Sequence, residues 1–577
     1  MADEPAAAGA GQDYPTIDPT SFDVVLCGTG LPESVLAAAC AAAGKTVLHV
    51  DPSPFYGSLY SSIPLPSLSS FLSPDPSTPS STAAAAAASG SHTAVDLHRR
   101  GVYSEVETSG AVPEPARRFT VDLVGPRVMY CADEAVDLLL RSGGSHHVEF
   151  KSVDGGSLLY WEGSLYPVPD SKQTIFKDTT LKLLEKNVLY RFLKLVQDHI
   201  AATSGAGDAA GIISEEDLDL PFVKFLNQQK LSPKMRAVVL YAIAMADYDQ
   251  DGPDPCEKLI TTREGIQTIA LYSSSVGRFA NAEGAFIYPM YGHGELPQAF
   301  CRCAAVKGAL YVLRMPVAAL LMDEEKKHSV GARLASGQDI LCKQLIIDPS
   351  YKIPTLDVPF DESDSNCPRK VARGICIFNK SVKQDASNVL VVFPPKCKNN
   401  YSFTFFMLDL LDVGMVMLFL LVDPVSILDL ALEEQQVATV RLLQLSSNLA
   451  VCPPGMFMAY LSTPCTDAST GKHCIKKAMD ALFSPLDSDG SQGQLATTSG
   501  STGDVKPTLI WSCVYVQEIT QGTSSSLLSC PMPDENLDYR NILESTKKLF
   551  TDIYPDEEFL PKKSAPVHDD EDSDSGE

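Results

Sequence analysis

Phe-Asp-Val-Val-Leu-Cys-Gly-Thr-Gly-Leu-Pro-Glu opens residues 22–57, and Val-Leu-His-Val-Asp-Pro-Ser-Pro-Phe-Tyr-Gly closes them. Val24 to Leu26 is an apolar run of buried-strand length. Gly28-Thr29-Gly30 is a glycine turn, Ser34 to Ala43 an alanine-rich helix ended by Gly44, and Val47 to Val50 a second strand that stops on Asp51. Strand, glycine turn, helix, strand and terminal acid make the β-α-β unit that usually grips a dinucleotide. The fingerprint requires a third glycine three residues after the second, and that place holds Glu33.

The third glycine lets helix and strand approach closely, and the helix N-terminus then receives a pyrophosphate. A glutamate there adds bulk and negative charge where an anion would sit, and its carboxylate is expected to satisfy the free N–H groups and the helix dipole. The motif therefore reads as a dinucleotide fold without its dinucleotide. The other reading has Glu33 pointing outward and a flavin still bound.

With 577 residues the chain has room for more than one domain. Its net charge of −26 argues against nucleic acid or an anionic membrane as the main partner. The 15 cysteines show no paired spacing; Cys301 and Cys303 lack a second pair to complete a zinc site, so no metal and reduced cytosolic thiols are expected. Residues 1–20 carry no basic stretch of a signal peptide, and the final Ser-Gly-Glu is no prenylation box.

In order along the chain, 1–20 reads as a disordered N-terminus and 21–63 as the first part of a dinucleotide-type domain. Residues 64–116, rich in Ser, Pro and Ala, read as a flexible low-complexity insertion, after which 117–124 resumes the domain. Residues 125–250 read as an inserted, mostly helical domain. Leu181, Leu184, Val188, Phe192 and Val196 stand there at helical spacing, Ser232-Pro233 starts another helix, and a β-ribbon is expected across Gly155-Gly156. Residues 251–396 return to the first domain, 397–434 look foreign, 435–560 complete the domain, and 561–577 form an acidic disordered tail. The fold class is thus α/β: a flavoprotein-type, Rossmann-like domain with a helical insertion.

Tyr291-Gly-His-Gly-Glu-Leu-Pro-Gln298 leads into a helix with Pro297 in its first turn and Gly308 past its end. Glu295 and Arg302 are seven residues apart, two turns or about 10 Å. They share a face but stand too far apart to satisfy each other; a solvated face and a polar partner surface both fit. A meander of strands then ends on Ile340 to Asp348. Its turn, Asp348-Pro349-Ser350, lacks the glycine that close approach to a cofactor would use.

Four stretches together resemble the Rab GDP-dissociation inhibitor and Rab escort protein superfamily: Asp23 to Glu33, Asp51 to Gly57, Tyr288 to Gln298 and Cys342 to Tyr351. The resemblance runs from about 22 to 560, with gaps at 64–116 and 397–434. It implies no FAD, and a platform for GDP-bound Rab GTPases to which Tyr56, Glu295 and Arg302 belong; a family methionine falls on Val312. It also implies a helical domain that holds or guides a geranylgeranyl lipid. The long insertion, the acidic extension, Cys301-Arg302-Cys303 and the closing Leu549 to Phe559 stretch resemble the escort branch. That branch presents new Rab to the α/β heterodimer of Rab geranylgeranyltransferase, is not itself catalytic, and meets membranes only transiently from the cytosol. Phe286 is aligned, loosely, with a phenylalanine that docks on the transferase α-subunit. A dissociation inhibitor that recycles prenylated Rab is the alternative, and a flavin oxidoreductase the remote one.

The apolar run Val413 to Val422 is near half the length a membrane span needs. Because 397–434 departs from both branches, a retained intron or a wrong exon join is hypothesised. A transcript encoding Phe419 in most copies would refute that.

Overall fold

The computed structural model describes residues 14–73, 92–170, 172–205, 211–252, 259–323, 328–352, 369–395, 436, 438–485, 506–519 and 527–561. The expectations for 1–13, 397–434 and 562–577 lie outside them.

The opening unit folds as its residues dictate. Strand β1 (Ser21–Cys27) leads through the glycine turn to helix α1 (Leu31–Ala42), and β2 (Val47–Asp51) returns beside β1 in parallel register, Val24 against Val47 and Cys27 against Val50. Small residues allow the fit: α1 is buried from Leu31 to Ala41, which an alanine-rich helix tolerates on every side. Leu310–Leu313 extends the sheet beyond β2, and Asp339–Ile347 pairs with β1, both parallel. Ser329–Leu334 and Val317–Met322 continue it antiparallel, as the expected meander. Apolar cores lie on both faces, as a largely parallel sheet requires.

A second eight-stranded sheet runs in the order Ser164–Pro167, Ser157–Trp161, Val389–Phe393, Val440–Ser446, Phe457–Cys465, Arg369–Phe378, Leu509–Ile519, Tyr103–Gly110. Its central pair, Arg369–Phe378 with Phe457–Cys465, is antiparallel and buried, with helix Ala468–Leu482 packed across it.

Three expectations are corrected. Residues 64–116 are not one flexible insertion. Leu65, Leu68 and Leu72 are buried through two short helical turns; Thr93–Asp96 pairs with Val317–Met322, and Tyr103–Gly110 closes the second sheet. Composition averaged over the stretch hid short apolar alternations such as Val95 and Leu97. The helical unit is not 125–250 but runs from Lys172–Lys177 to Thr262–Ser275, the last helix packing on the three that start at Leu183, Glu215 and Phe222. Finally, Phe150–Ser152 and Ser157–Trp161 form no ribbon: the first pairs with Phe286–Pro289, the second with Ser164–Pro167 and Val389–Phe393.

Candidate functional site

The nucleotide cradle is filled by the chain itself. Glu33 is 1% exposed, folded back against Gly30, where a Cβ would collide with its Oε2. Burial, then the neighbouring Asp348, pushes its carboxyl well above the usual range, while its own N–H and the Cys530 thiol oppose the shift. Neither oxygen accepts a hydrogen bond of good geometry. Burial disfavours the charge expected on the helix dipole, and what Glu33 supplies is bulk.

Asp51, the acid that would hold a ribose, is spent on its own neighbours. Its Oδ2 accepts from the Thr29 N–H at 3.0 Å, the Thr29 hydroxyl at 2.6 Å and the Ser58 hydroxyl at 2.6 Å; its Oδ1 accepts from the Ser53 N–H at 2.7 Å. Gly28 has φ +122, a region glycine favours, and any side chain there would meet the Asp348 Cβ at 2.6 Å. Over the Asp348 turn lies Arg100, which donates its N–H to the Ser350 carbonyl at 2.9 Å and its Nη2 to the Pro349 carbonyl at 2.8 Å. Buried His49 gives its ring Nε2 to the Gly28 carbonyl, and burial lowers its pKa to about 3, so it is neutral.

The helix Glu295–Ala305 packs on α1 and carries the two opposite charges. Glu295 is half-buried, and burial raises its carboxyl against the opposing Arg302 charge and the Gln298 amide, which donates to Oε1 at 3.1 Å. Arg302 is exposed and makes no side-chain hydrogen bond or ion pair among the described residues. Tyr56 is half-buried beside it; burial raises its phenol, Cys301 adds to that, and Arg302 opposes. The Tyr56 ring stands edge-on to Tyr311, with centroids 6.3 Å apart. Tyr56, Glu295 and Arg302 thus share one surface. Val312 is placed elsewhere: next to Tyr311 on the edge strand, it packs into the core on the opposite face of the sheet.

Sequence reasoning missed what holds this helix. Buried Asp122 accepts the His293 N–H at 3.0 Å and the Ser62 hydroxyl on Oδ1, and the Tyr288 hydroxyl on Oδ2. Ser62 in turn accepts the Gly294 N–H at 2.7 Å. Burial raises the Asp122 carboxyl to about 7, with the Ser62 and His293 hydrogen bonds opposing. The available signal was the pair Gly292 and Gly294. A Cβ on Gly294 would meet the Ser62 nitrogen at 2.6 Å, and one on Gly292 the Asp122 Oδ1 at 2.5 Å.

Phe286 is corrected. It is 2% exposed, in the strand Phe286–Pro289, with its ring 4.8 Å from Tyr130 and 5.9 Å from Tyr272. A ring buried between two tyrosines offers no surface to a transferase.

A degenerate dinucleotide fold bearing an outward polar surface on its first domain defines a protein-binding scaffold of flavoprotein type. A family model described as GDP dissociation inhibitor matches residues 18–99 and 85–408, and the chain belongs to that family. Rab escort protein 1 of Arabidopsis thaliana is 43% identical, covering 98% of both chains. Rab proteins geranylgeranyltransferase component A 2 of Mus musculus is 24% identical over 95% of this chain and 98% of its own. The crystal structure of Rab GDI from Plasmodium falciparum has the same fold: TM-score 0.61 at 17% identity, over 93% of this chain and 99% of that one. No helix among the described residues is long and apolar enough to cross a membrane, and no group of three or more His, Cys, Asp or Glu there could hold a metal.

Proposed function

We propose that the chain acts as a Rab escort protein. It binds newly synthesised, GDP-bound Rab GTPases, presents them to the α/β heterodimer of Rab geranylgeranyltransferase, and delivers the lipidated product from the cytosol to membranes. It is an accessory subunit with no catalytic residues of its own, and it takes no nucleic acid. The observation that carries this reading is the surface of Tyr56, Glu295 and Arg302: a phenol from the segment after β2 beside two opposite charges on a clamped helix, of which Arg302 makes no side-chain bond among the described residues. Fixed charges of both signs on a rigid element orient a polar partner and discriminate between its states. High identity to an escort protein along nearly the whole chain supports the escort branch over the inhibitor.

The same reading takes the chain to work without FAD. It is supported by Glu33 and the Asp348 side chain, which occupy the space a pyrophosphate would use, and by Asp51, whose oxygens are taken by its own neighbours. The experiment is a pull-down with GDP- and GTP-loaded Rab, with and without transferase, followed by a reconstituted prenylation assay. GDP-selective binding that supports prenylation is expected. Binding of prenylated Rab alone, without support of prenylation, would mark an inhibitor.

A further inference from the structure

The start of the long helix Leu183–Thr203 departs from the rest of this acidic chain. Residues 172–194 hold six Lys or Arg against two Asp or Glu, in a chain of net charge −26. Both acids are engaged internally: Asp178 caps the Thr180 N–H and hydroxyl, each at 2.7 Å, and Glu185 accepts from the Lys182 N–H and the Ser232 hydroxyl, each at 3.0 Å. Lys177, Lys182, Arg191 and Lys194 are exposed and make no side-chain hydrogen bond or ion pair among the described residues.

Amid these charges stand Leu183 and Leu184, 69% and 78% exposed, with Phe176 at 40%. The buried face of the helix is Leu189, Phe192, Val196 and His199. Seven residues after Leu184 comes Arg191, and eleven after Leu183 comes Lys194; at 3.6 residues per turn each falls on the face of its leucine. One outward face therefore presents leucines at its tip and unpaired cations behind. Apolar tips ringed by lysine suit the boundary between lipid headgroups and acyl chains, where the leucines leave water and the cations meet anionic headgroups. A protein partner reached through leucines alone would not call for the cations.

We propose that Phe176, Leu183 and Leu184, with Lys177, Lys182, Arg191 and Lys194, form a docking surface for anionic membrane. The assignment deepens the delivery step of the escort reading and rests on that reading for its purpose. The test is flotation of the full chain with vesicles of phosphatidylcholine alone and with added phosphatidylserine, for the protein and for Leu183→Ser/Leu184→Ser and Lys177→Glu/Lys182→Glu. The protein should float with the anionic vesicles only and detach at high salt. Each double substitution should lower the bound fraction roughly tenfold or more, since one basic residue near such a surface is worth about a factor of five. Unchanged melting curves and GDP-Rab titrations of the variants would assign the loss to the membrane. Flotation that survives both substitutions would overturn the proposal, as would a parallel loss of Rab, transferase or soluble prenyl-peptide binding, which would give the patch to those ligands. A chain that floats normally but binds no Rab would refute the escort reading and leave the surface assigned.

Discussion

The Asp122 carboxylate accepts the backbone N–H of His293 at 3.0 Å, two residues before Glu295 starts the charged helix. One buried acid thereby ties the turn that launches the charged helix to the strand Ser62–Pro64, a few residues after Tyr56, and to Tyr288. The two segments that carry the polar surface are held in register by a group that is itself buried.

Asp122 also gives the fold a pH signature. Its folded pKa, about 7, lies above the ordinary 3.8. Between these values the folded state holds the proton more tightly than the unfolded chain. Asp122 thus favours folding at low pH, and that advantage is lost as pH rises toward and through 7. Asp122→Asn removes the titration and keeps the shape. The stability of the protein relative to this variant should fall by on the order of 4 kcal/mol from pH 4 to pH 8. A flat difference between melting curves across that range would refute the assignment. Asp122→Ala, which leaves the Ser62, Tyr288 and His293 donors unmatched, should cost about 3–5 kcal/mol and weaken GDP-Rab binding as the helix start loosens.

Glu295→Ala and Arg302→Ala test the surface itself. Arg302 is exposed and has no side-chain hydrogen bond or ion pair among the described residues to lose, so stability should change by no more than about 0.5 kcal/mol. Binding of GDP-loaded Rab should weaken by roughly 10- to 100-fold for each, the scale of an interface hot spot. Unchanged affinity in a titration would remove both residues from the platform. Val312→Ala should do the reverse, lowering stability by about 1 kcal/mol because its half-buried side chain packs against a core.

The parts legible in the sequence were those where neighbours in the chain are neighbours in space. The β1-α1-β2 unit, the meander and the helix at Glu295 each announce themselves by glycine, proline and apolar spacing within a few residues. Glu33 was legible as a misfit, but the rise of its carboxyl was not, because that follows from its burial and then from Asp348, hundreds of residues away in the chain. The Asp122 clamp joins residues 62, 122, 288 and 293, and no local pattern links them. Phe286 was misplaced for a related reason: strand burial is decided by the partners Tyr130 and Tyr272, not by its own segment. Short strands in a Ser- and Pro-rich background, such as Thr93–Asp96, were lost to averaging.

Glu33→Gln keeps the shape of the buried side chain and removes its titration, so it should fold at least as stably as the protein at pH 7. Raised above its ordinary 4.5, the folded pKa makes Glu33 favour folding at low pH and cost stability as pH rises from there. The stability of the protein relative to Glu33→Gln should therefore decline as pH climbs above 4.5. Glu33→Gly restores the fingerprint glycine but leaves a void and a weaker helix start, at a cost of about 2–4 kcal/mol. It should purify colourless, since Asp348 and the Asp51 bonds still fill the site. A tightly held yellow flavin in either protein would contradict the filled-cradle reading.

The strands Val389–Phe393 and Val440–Ser446 are paired antiparallel, with Phe393 opposite Val440. The 46 residues 394–439 therefore join two positions already in contact, and the strand start is pinned independently of most of them. The Thr439 N–H and hydroxyl bond the carbonyls of Asp247 and Ala246 at 2.7 and 2.9 Å, and Arg441 pairs with Asp247 at 2.5 Å. Excising 397–434 leaves eight residues, 394–396 and 435–439, enough to close an antiparallel connection. Closing a connection shortened by that much costs up to about 1.5 kcal/mol less in chain entropy. The excised protein should melt at the same temperature or a few degrees higher, bind GDP-Rab with unchanged affinity and aggregate less, since the apolar run Val413 to Val422 is gone. A large fall in melting temperature would instead make 397–434 part of the folded core and argue that the stretch is genuine.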